Sequence, residues 1–385
     1  MLYPTYAQVH LDNIRANLEE IRRAVGTNRK ILVAVKANAY GHGAVQVSRV
    51  AQEAGCEWLG VATVPEGIRL RKAGISLEIL KFSPAHSEAM LPAVRHNLTL
   101  AVADLEGIRQ LQDICASENL RAKVHLKIDT GMGRIGATPE EAPDLATFIE
   151  KECANIHLEG VFTHFPVSDI DPGSTHEQVN RFNAVVTAIE GAIGHKIEIV
   201  HSANSGAVLG AEYAWMDMVR PGIMVYGFYP DKQTPQSIPL KPGMSLFTQV
   251  SFVKKVTAGT GISYGHTWHA PQDTWIATLP VGYADGFNRL FSNQGRVLIN
   301  GRSYRVVGRV CMDQTMVDLG AETDVKVGDK VVLIGKSGDE EITVDEWAEK
   351  LGTITYEVTC QISPRVKRYF GRGSTVSART TTNTL

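Results

Sequence analysis

Eight short apolar segments alternate with helix-like patterns over the first 220 residues, and this alternation limits the folds open to the chain. The strand-like segments are 31–35, 57–62, 78–83, 98–103, 122–128, 157–163, 197–202 and 217–220. Helical patterns include 12–26, 65–73, 104–118, 139–152 and 176–193. Strands that alternate with helices form parallel sheets, because each helix carries the chain back to start the next strand. Eight such strands predict an α/β fold of the TIM (β/α)8 barrel type, with an open, doubly wound sheet as the alternative.

A different pattern begins after the proline-rich stretch 229–244. Short strand-like segments follow, Asn300-Gly301 is a favourable hairpin turn, and only 344–351 looks helical. The second part of the chain is therefore predicted to be a mainly β domain. The predicted divisions are a barrel over 11–235, the β domain over 236–373 together with 1–10, and a polar tail over 374–385 that is expected to be mobile.

The charge balance gives no sign of a nucleic-acid or membrane partner. A formal net charge of −2 and a pI near 6.6 favour a small-molecule partner instead. The five cysteines are widely spaced without a C-x-x-C pair, which predicts free thiols rather than disulfides or a structural metal site. The N-terminal residues lack the pattern of a signal peptide and no stretch of 18 apolar residues is present, so a cytoplasmic location is expected.

Lys36 is the first candidate for a catalytic residue because it follows an apolar predicted strand. In I-L-V-A-V-K-A-N-A-Y-G-H-G, residues 31–43, five apolar residues precede the lysine. A lysine that is withdrawn from water has a lowered pKa and becomes an amine nucleophile able to form a Schiff base. Gly41 and Gly43 lead into a helical pattern whose first N–H groups could face an anion. A strand-end lysine that simply reaches solvent is the alternative.

Further motifs follow along nearly the whole chain. They are HLKIDTGMGRIG (125–136), GVFTHF (160–165), HSANS (201–205), RPGI (220–223), SYG (263–265), VGYADG (281–286) and CMDQ (311–314). With the lysine motif, and in this order, they resemble the alanine racemases, a family that depends on pyridoxal phosphate. The polar residues that the resemblance singles out follow the C-terminal ends of several predicted strands, which favours the barrel over the open sheet.

The resemblance implies pyridoxal 5′-phosphate as the cofactor, joined to Lys36 as an internal aldimine. The other residues implied to bind it are Tyr40, His164, Asn204, Ser205, Arg220, Gly222, Ile223 and Tyr356. Hydroxyls and backbone amides would hold the phosphate without added positive charge. Arg220 would lie beside the pyridine nitrogen, where a group that only donates keeps this nitrogen unprotonated. The electron sink is then weaker, which favours proton transfer over transamination or elimination.

Racemisation needs a base on each face of the α-carbon. The resemblance implies Lys36 on one face and, on the other, Tyr264 from the neighbouring subunit of a homodimer. A tyrosine with a pKa near 10 is a poor base at neutral pH and needs nearby positive charge or a hydrogen-bond chain. His164 is implied to link Tyr264 to Arg220.

The resemblance also implies how the substrate is held. Arg134 can bind a carboxylate, and Met312 would contribute from the partner subunit, in a pocket that suits small amino acids. The implied supporting residues are Tyr283, Cys311 and Asp313. Lys127 is at the family position of a lysine carboxylated by carbon dioxide to a carbamate, which requires burial to lower its pKa. A simple Lys127–Asp129 pair or a lysine that reaches solvent is the alternative.

The resemblance therefore implies an alanine racemase activity (EC 5.1.1.1). Two-base transfer of the Cα proton on a pyridoxal phosphate aldimine would interconvert L-alanine and D-alanine, and D-alanine would supply peptidoglycan; no metal is implied. A barrel-fold amino-acid decarboxylase is disfavoured because Arg220 stands where that class has an acidic residue. A non-catalytic carrier of pyridoxal phosphate is disfavoured by the domain over 245–370.

Overall fold

A computed structural model describes residues 3–371, so the predicted mobile tail 374–385 lies outside the described residues. The chain divides into two compact units. Asn13–Lys241 forms one unit, and the residues up to Asp12 together with those from Pro242 onward form the other. The first is an eight-stranded α/β barrel and the second is mainly β.

The barrel unit contains eight parallel strands in chain order. They are Lys30–Ala34, Trp58–Val61, Glu78–Lys81, Thr99–Val102, Ala122–Lys127, Ile156–Phe162, Ile199–His201 and Met218–Val219. The last strand pairs with the first, with Met218 opposite Lys30. Between the seventh and eighth strands, Asp217 N–H donates to Val200 O at 3.1 Å and Val200 N–H donates to Asp217 Oδ2 at 2.8 Å. The sheet is thus nearly closed, which confirms the predicted TIM barrel and rules out the open sheet.

Helices alternate with these strands, and several begin at residues whose side chains cap them. The α-helices are Leu11–Val25, Ala44–Glu53, Val64–Lys72, Ser87–Arg95, Leu105–Ser117, Ala142–Glu152, Pro172–Ile193 and Ser205–Gly210. Thr63 and Glu66 form a capping box, and Asp104 accepts a hydrogen bond from the N–H of Gly107. Short 3-10 helices lie at Glu212–Ala214 and Ile223–Tyr226. The barrel core includes Leu32, Trp58, Leu80, Ile199 and Met218.

The second unit is built mainly on antiparallel strands. They are Tyr6–His10, Met244–Gln249, Phe252–Val256, Gly261–Ile262, Trp268–His269, Thr274–Leu279, Arg296–Ile299, Arg302–Arg305, Thr315–Gly320, Lys330–Ser337, Glu340–Ile342 and Lys367–Gly371. Tyr6–His10 pairs antiparallel with Met244–Gln249 and parallel with Lys367–Gly371. The hairpin turn at Asn300-Gly301 is confirmed, with φ of 50° and 78° joining two paired strands.

One prediction for this unit is wrong. Besides the helix Val344–Leu351, a second α-helix covers Thr355–Gln361, where the sequence analysis expected none. Its β-branched residues have low helix propensity, but Thr355, Val358 and Thr359 are buried at helical spacing. The 3-10 helices of this unit are Tyr264–His266, Tyr283–Asp285 and Arg289–Phe291. Within residues 3–371 no helix is long and apolar enough to cross a membrane.

Candidate active site

Lys36 starts a left-handed turn at the end of the first barrel strand. The four residues that follow it, Ala37–Tyr40, all have φ between 51° and 55°. This conformation costs about 1–2 kcal/mol per residue for side chains other than glycine. The N–H of Ala39 donates to Val35 O at 2.8 Å, and that of Ala37 donates to Glu66 Oε1 at 2.7 Å. Lys36 is half-buried, with Nζ 5.9 Å from the centre of the Phe82 ring.

The side chain of His42 packs against this turn and stabilises it. It is fully buried, its Nδ1 lies 2.9 Å from Tyr40 O, and its ring stacks on Tyr226 at 4.6 Å. The hydroxyl of Tyr226 donates to Ala34 O at 2.7 Å, which ties the stack to the strand that carries Lys36. These contacts hold the backbone of the turn in an unfavourable conformation, and they therefore also fix the position of Lys36.

A cradle for an anion lies beside the turn. The N–H of Gly222 donates to Ser205 Oγ at 2.8 Å, and a Cβ on Gly222 would lie 2.8 Å from Tyr40 Oη. Asn204 Oδ1 accepts from the N–H of Ala207 and so holds the start of the helix that carries Ser205. Two hydroxyls and a close-approaching backbone amide therefore converge, and Ile223 continues from Gly222 into a 3-10 helix. This set fits the phosphate of the cofactor that the motifs imply.

Arg220 is buried at the C-terminal end of the eighth strand. Its guanidinium donates to Thr163 O at 2.7 Å and Ser202 O at 2.8 Å, and lies 3.0 Å from His201 Nδ1 and 3.4 Å from His164 Nδ1. All four acceptors are neutral. Burial, with the charge of Arg220 added, holds the pKa of His164 well below its usual value, so His164 is an uncharged acceptor at neutral pH.

Lys127 ends the fifth strand and is buried beside other cations. Burial and, secondarily, the charges of Arg220 and Arg134 lower the pKa of Lys127 to about 7. Its Nζ lies 4.8 Å from the centre of the Phe162 ring. Lys127 forms no ion pair within residues 3–371, so neither alternative arrangement, a Lys127–Asp129 pair or a solvent-exposed amine, is present.

The carboxylate of Asp129 instead organises the loop that carries Arg134. It accepts hydrogen bonds from the N–H groups of Gly131, Met132, Gly133 and Arg134 at 2.9–3.2 Å. Burial alone would raise the pKa of Asp129, but these four donors lower it. The loop leaves Arg134 exposed, where its guanidinium could bind a carboxylate.

The second unit brings several of the predicted residues together on its own loops. The N–H of Tyr283 donates to Cys311 O at 3.1 Å, and that of Ala284 donates to Met312 O at 3.0 Å. Gly282 is needed here because a Cβ would lie 2.4 Å from Met312 O. Ser263, next to Tyr264, donates to Arg309 O at 2.7 Å and lies 3.4 Å from Cys311 Sγ.

Two further predicted residues belong to this unit: Asp313, which follows Met312 in the same loop, and Tyr356, which lies in a helix. Asp313 is held by Arg365 at 2.8 Å, and Arg365 also approaches the buried Asp285 at 3.5 Å. Tyr356 lies half-buried in the helix Thr355–Gln361. Both Tyr264 and Met312 are exposed, with 72% and 53% of their surface accessible.

Both units match one protein family. The alanine racemase N-terminal domain matches residues 9–230, and the alanine racemase C-terminal domain matches residues 243–370. The chain belongs to the alanine racemase family. It is 46% identical over 370 residues to the alanine racemase of Cutibacterium acnes, covering 95% of this chain and 98% of that relative. It is 45% identical over 374 residues to the alanine racemase of Desulforamulus reducens, covering 96% and 100%.

Solved structures of alanine racemases have the same fold. That of Clostridium difficile 630 gives a TM-score of 0.92 at 40% identity, with 96% of each chain covered. That of Bacillus anthracis with bound L-Ala-P gives a TM-score of 0.92 at 36% identity, covering 97% of this chain and 96% of that chain. The resemblance of the motifs is thus confirmed, and the chain is an enzyme of the isomerase class, an amino-acid racemase (EC 5.1.1.1).

Sequence reasoning assigned no role to three buried polar residues near Arg220. His125 and His201 are fully buried, and Glu159 is 5% exposed. Two of them stand inside alanine racemase motifs, HLKIDTGMGRIG and HSANS, and Glu159 immediately precedes GVFTHF. Polar residues at barrel-interior positions of predicted strands were the signal that could have found them.

Proposed function

We propose that this enzyme interconverts L-alanine and D-alanine with pyridoxal 5′-phosphate as its cofactor. Bound pyridoxal phosphate draws electrons from the amino acid and makes its Cα proton removable. Lys36 would hold the aldehyde of the cofactor. The groups that would hold the rest of it are Tyr40, Asn204, Ser205, Gly222, Ile223 and Tyr356, together with Arg220 and His164.

The neutral surroundings of Arg220 carry this proposal. Its guanidinium has four neutral hydrogen-bond acceptors, and no carboxylate within residues 3–371 pairs directly with it. Such a group can only donate, and beside a ring nitrogen it keeps that nitrogen unprotonated. A weakened electron pull favours return of a proton to the α-carbon over loss of carbon dioxide or transfer of the amino group. This favours a racemase over a decarboxylase.

Two bases would move the proton. Lys36 would serve one face of the α-carbon and Tyr264, from a second copy of the chain in a homodimer, the other. The exposure of Tyr264 and Met312 supports their use by a partner subunit. Arg134 and the backbone of Met312 would hold the substrate carboxylate, with Tyr283, Cys311 and Asp313 shaping the surrounding loops.

We place this activity in the cytoplasm, where it would supply D-alanine for peptidoglycan. Within residues 3–371, Cys56, Cys115, Cys153 and Cys311 are free thiols, which suits a reducing compartment.

Polarimetry tests the proposed reaction. Enzyme loaded with pyridoxal phosphate should bring the optical rotation of L-alanine to zero, and the bound cofactor should absorb in the visible. The variant Lys36→Ala should lose both signals, whereas Lys196→Ala, which changes an exposed lysine in a surface ion pair, should keep both.

Three results would contradict the proposal. Release of carbon dioxide from the amino acid would identify a decarboxylase. Visible absorbance with unchanged L-alanine would identify a carrier of the cofactor. Visible absorbance that survives Lys36→Ala would remove Lys36 from the cofactor site.

A further inference from the structure

A line of buried polar side chains runs through the barrel interior to Arg220. The guanidinium lies 3.0 Å from His201 Nδ1, and His201 Nε2 lies 2.8 Å from His125 Nδ1. His125 Nε2 lies 3.4 Å from Glu159 Oε2, and Glu159 Oε1 pairs with Lys123 at 2.8 Å. The line thus joins a carboxylate on the sixth strand to the buried cation at the end of the eighth.

Hydrogen-bond chemistry gives this line a single direction. Arginine only donates, so His201 Nδ1 must accept and the proton of His201 must be on Nε2. His201 Nε2–H then donates to His125 Nδ1, which places the proton of His125 on Nε2 as well. His125 Nε2 is buried and makes no hydrogen bond of good geometry within residues 3–371, and Glu159 Oε2, 3.4 Å away, is the carboxylate oxygen that its proton faces.

Close packing fixes the positions of the imidazole rings of His125 and His201. A Cβ on Gly160 would lie 2.9 Å from His125 Nδ1, so the glycine of the GVFTHF motif makes room for this ring. Phe162 stacks on His201 with 4.9 Å between ring centres and an angle of 10°. Trp58 lies 5.3 Å from His125. Neither imidazole can turn without displacing a core side chain.

Glu159 supplies the only formal negative charge along this line. Burial alone would raise its pKa, but hydrogen bonds from His125 and Lys123, together with the positive charge of Lys123, lower the pKa to about 2. It is therefore ionised at neutral pH. Burial lowers the pKa values of both His125 and His201, so both rings are neutral between the two charges.

We propose that Glu159 is a positioning residue for Arg220, acting through the fixed tautomers of His125 and His201. Without the carboxylate of Glu159, the proton of His125 can move from Nε2 to Nδ1. His201 then carries its proton on Nδ1, so an N–H faces the guanidinium and Arg220 loses an acceptor. The tautomers follow from the structure alone, whereas the effect on catalysis rests on the proposed function.

Imidazole 15N NMR on the full-length enzyme with labelled histidine tests the tautomers directly. At pH 7 the signals of His125 and His201 should both show a neutral ring with the proton on Nε2. A proton on Nδ1 of either ring, or a doubly protonated ring, would overturn the proposal. This measurement needs no variant and does not depend on the reaction catalysed.

Glu159→Gln then tests the connection to Arg220. This variant should shift the nitrogen signals of His201, although His201 does not touch residue 159, and should lower kcat for alanine by about 10- to 100-fold with KM within about twofold. KM is preserved because Arg220 would face the cofactor and not the substrate carboxylate. Glu118→Gln is the matched control, since it makes the same change in an exposed ion pair with Arg95 and should alter neither quantity.

The outcomes separate the two proposals. An unmoved His201 signal in Glu159→Gln, or a loss of rate that appears in KM alone, would overturn the positioning role. If Glu159→Gln does not fold, the tautomers of the unaltered enzyme decide. If the unaltered enzyme racemises nothing, the proposed function fails while the histidine signals still test the hydrogen-bonded line.

Discussion

The surroundings of the buried Lys127 side chain make its amine reactive at neutral pH. Its amine is withdrawn from water, stands near two arginines, and forms no ion pair within residues 3–371, and its pKa is lowered to about 7. A substantial fraction of this amine is therefore neutral at pH 7, and a neutral amine can add to carbon dioxide, which forms an N–C bond and releases one proton to solvent. A carbamate at this position would carry a negative charge toward Arg134 and Arg220.

We therefore predict that Lys127 is carboxylated. Enzyme equilibrated with 13C-bicarbonate should give a carbamate carbon signal that is absent from Lys127→Met, and removal of carbon dioxide should raise KM for alanine because Arg134 loses its partner. Lys196→Met, at an exposed site, should keep the signal. An unmodified lysine and a KM insensitive to carbon dioxide would remove this modification.

The same residue predicts a pH dependence of stability. The folded-state pKa of Lys127 is about 7, below the unfolded value of about 10.4, so between these pH values the unfolded chain binds more protons. In buffer free of carbon dioxide the free energy of unfolding should therefore rise with pH from about 7 to 10, by up to about 1.4 kcal/mol per pH unit relative to Lys127→Met. Urea unfolding across this range measures the difference, and parallel curves for the two proteins would argue against a lowered pKa.

The phosphate cradle requires residue 222 to have no side chain. In Gly222→Ala the new methyl group would lie 2.8 Å from Tyr40 Oη and occupy the space between the hydroxyls. Affinity for pyridoxal phosphate should fall by about 10- to 100-fold, the effect of losing a hydrogen bond to a charged group. Gly191→Ala, where a Cβ meets nothing within 4 Å, is the control. Equal affinities by equilibrium dialysis would place the phosphate elsewhere.

The left-handed turn Ala37–Tyr40 is a structural element whose conformation its own sequence disfavours. None of its residues is glycine, and the alternation of strands and helices gives no sign of it. Sequence reasoning identified the lysine motif and the glycines after it but could not predict this turn. The contacts that impose it, such as the stack of His42 on Tyr226, join residues far apart in the chain.

Strain in this turn can be measured at Ala37, which is exposed. Ala37→Gly should raise the free energy of unfolding by up to about 1 kcal/mol, because glycine adopts a φ of 51° without steric cost. Ala184→Gly, at an exposed site inside the helix Pro172–Ile193, should lower it by about 1 kcal/mol. Loss of stability in both variants on urea unfolding would show that the turn is not strained.

At the scale of the whole molecule, periodicity predicted the barrel well because its strands are buried on both faces and read as continuous apolar runs. Each of the eight predicted segments overlaps an observed barrel strand. The β unit was harder to predict, because residues 247–256 have the sequence pattern of one continuous strand but are divided between Met244–Gln249 and Phe252–Val256, which belong to different sheets. The line from Glu159 to Arg220 was beyond sequence reasoning, since it depends on which side chains of different strands meet inside the barrel.

Each active site that we propose is formed by residues from both chains of a dimer. Lys36 of one copy would work with Tyr264 of the other, so a chain that lacks Lys36 still offers an intact tyrosine to its partner. A chain that lacks Tyr264 still offers an intact lysine. A mixed dimer of Lys36→Ala and Tyr264→Phe would then contain one complete site.

Mixing these two variants, after dissociation and reassociation, tests the account most directly. Random pairing puts half of the chains into mixed dimers with one complete site each, so alanine racemisation should recover to about a quarter of the unaltered rate. Each variant treated alone should remain inactive or nearly so. A mixture no more active than its separate components, despite proven exchange of subunits, would show that Lys36 and Tyr264 of different copies do not act on the same α-carbon.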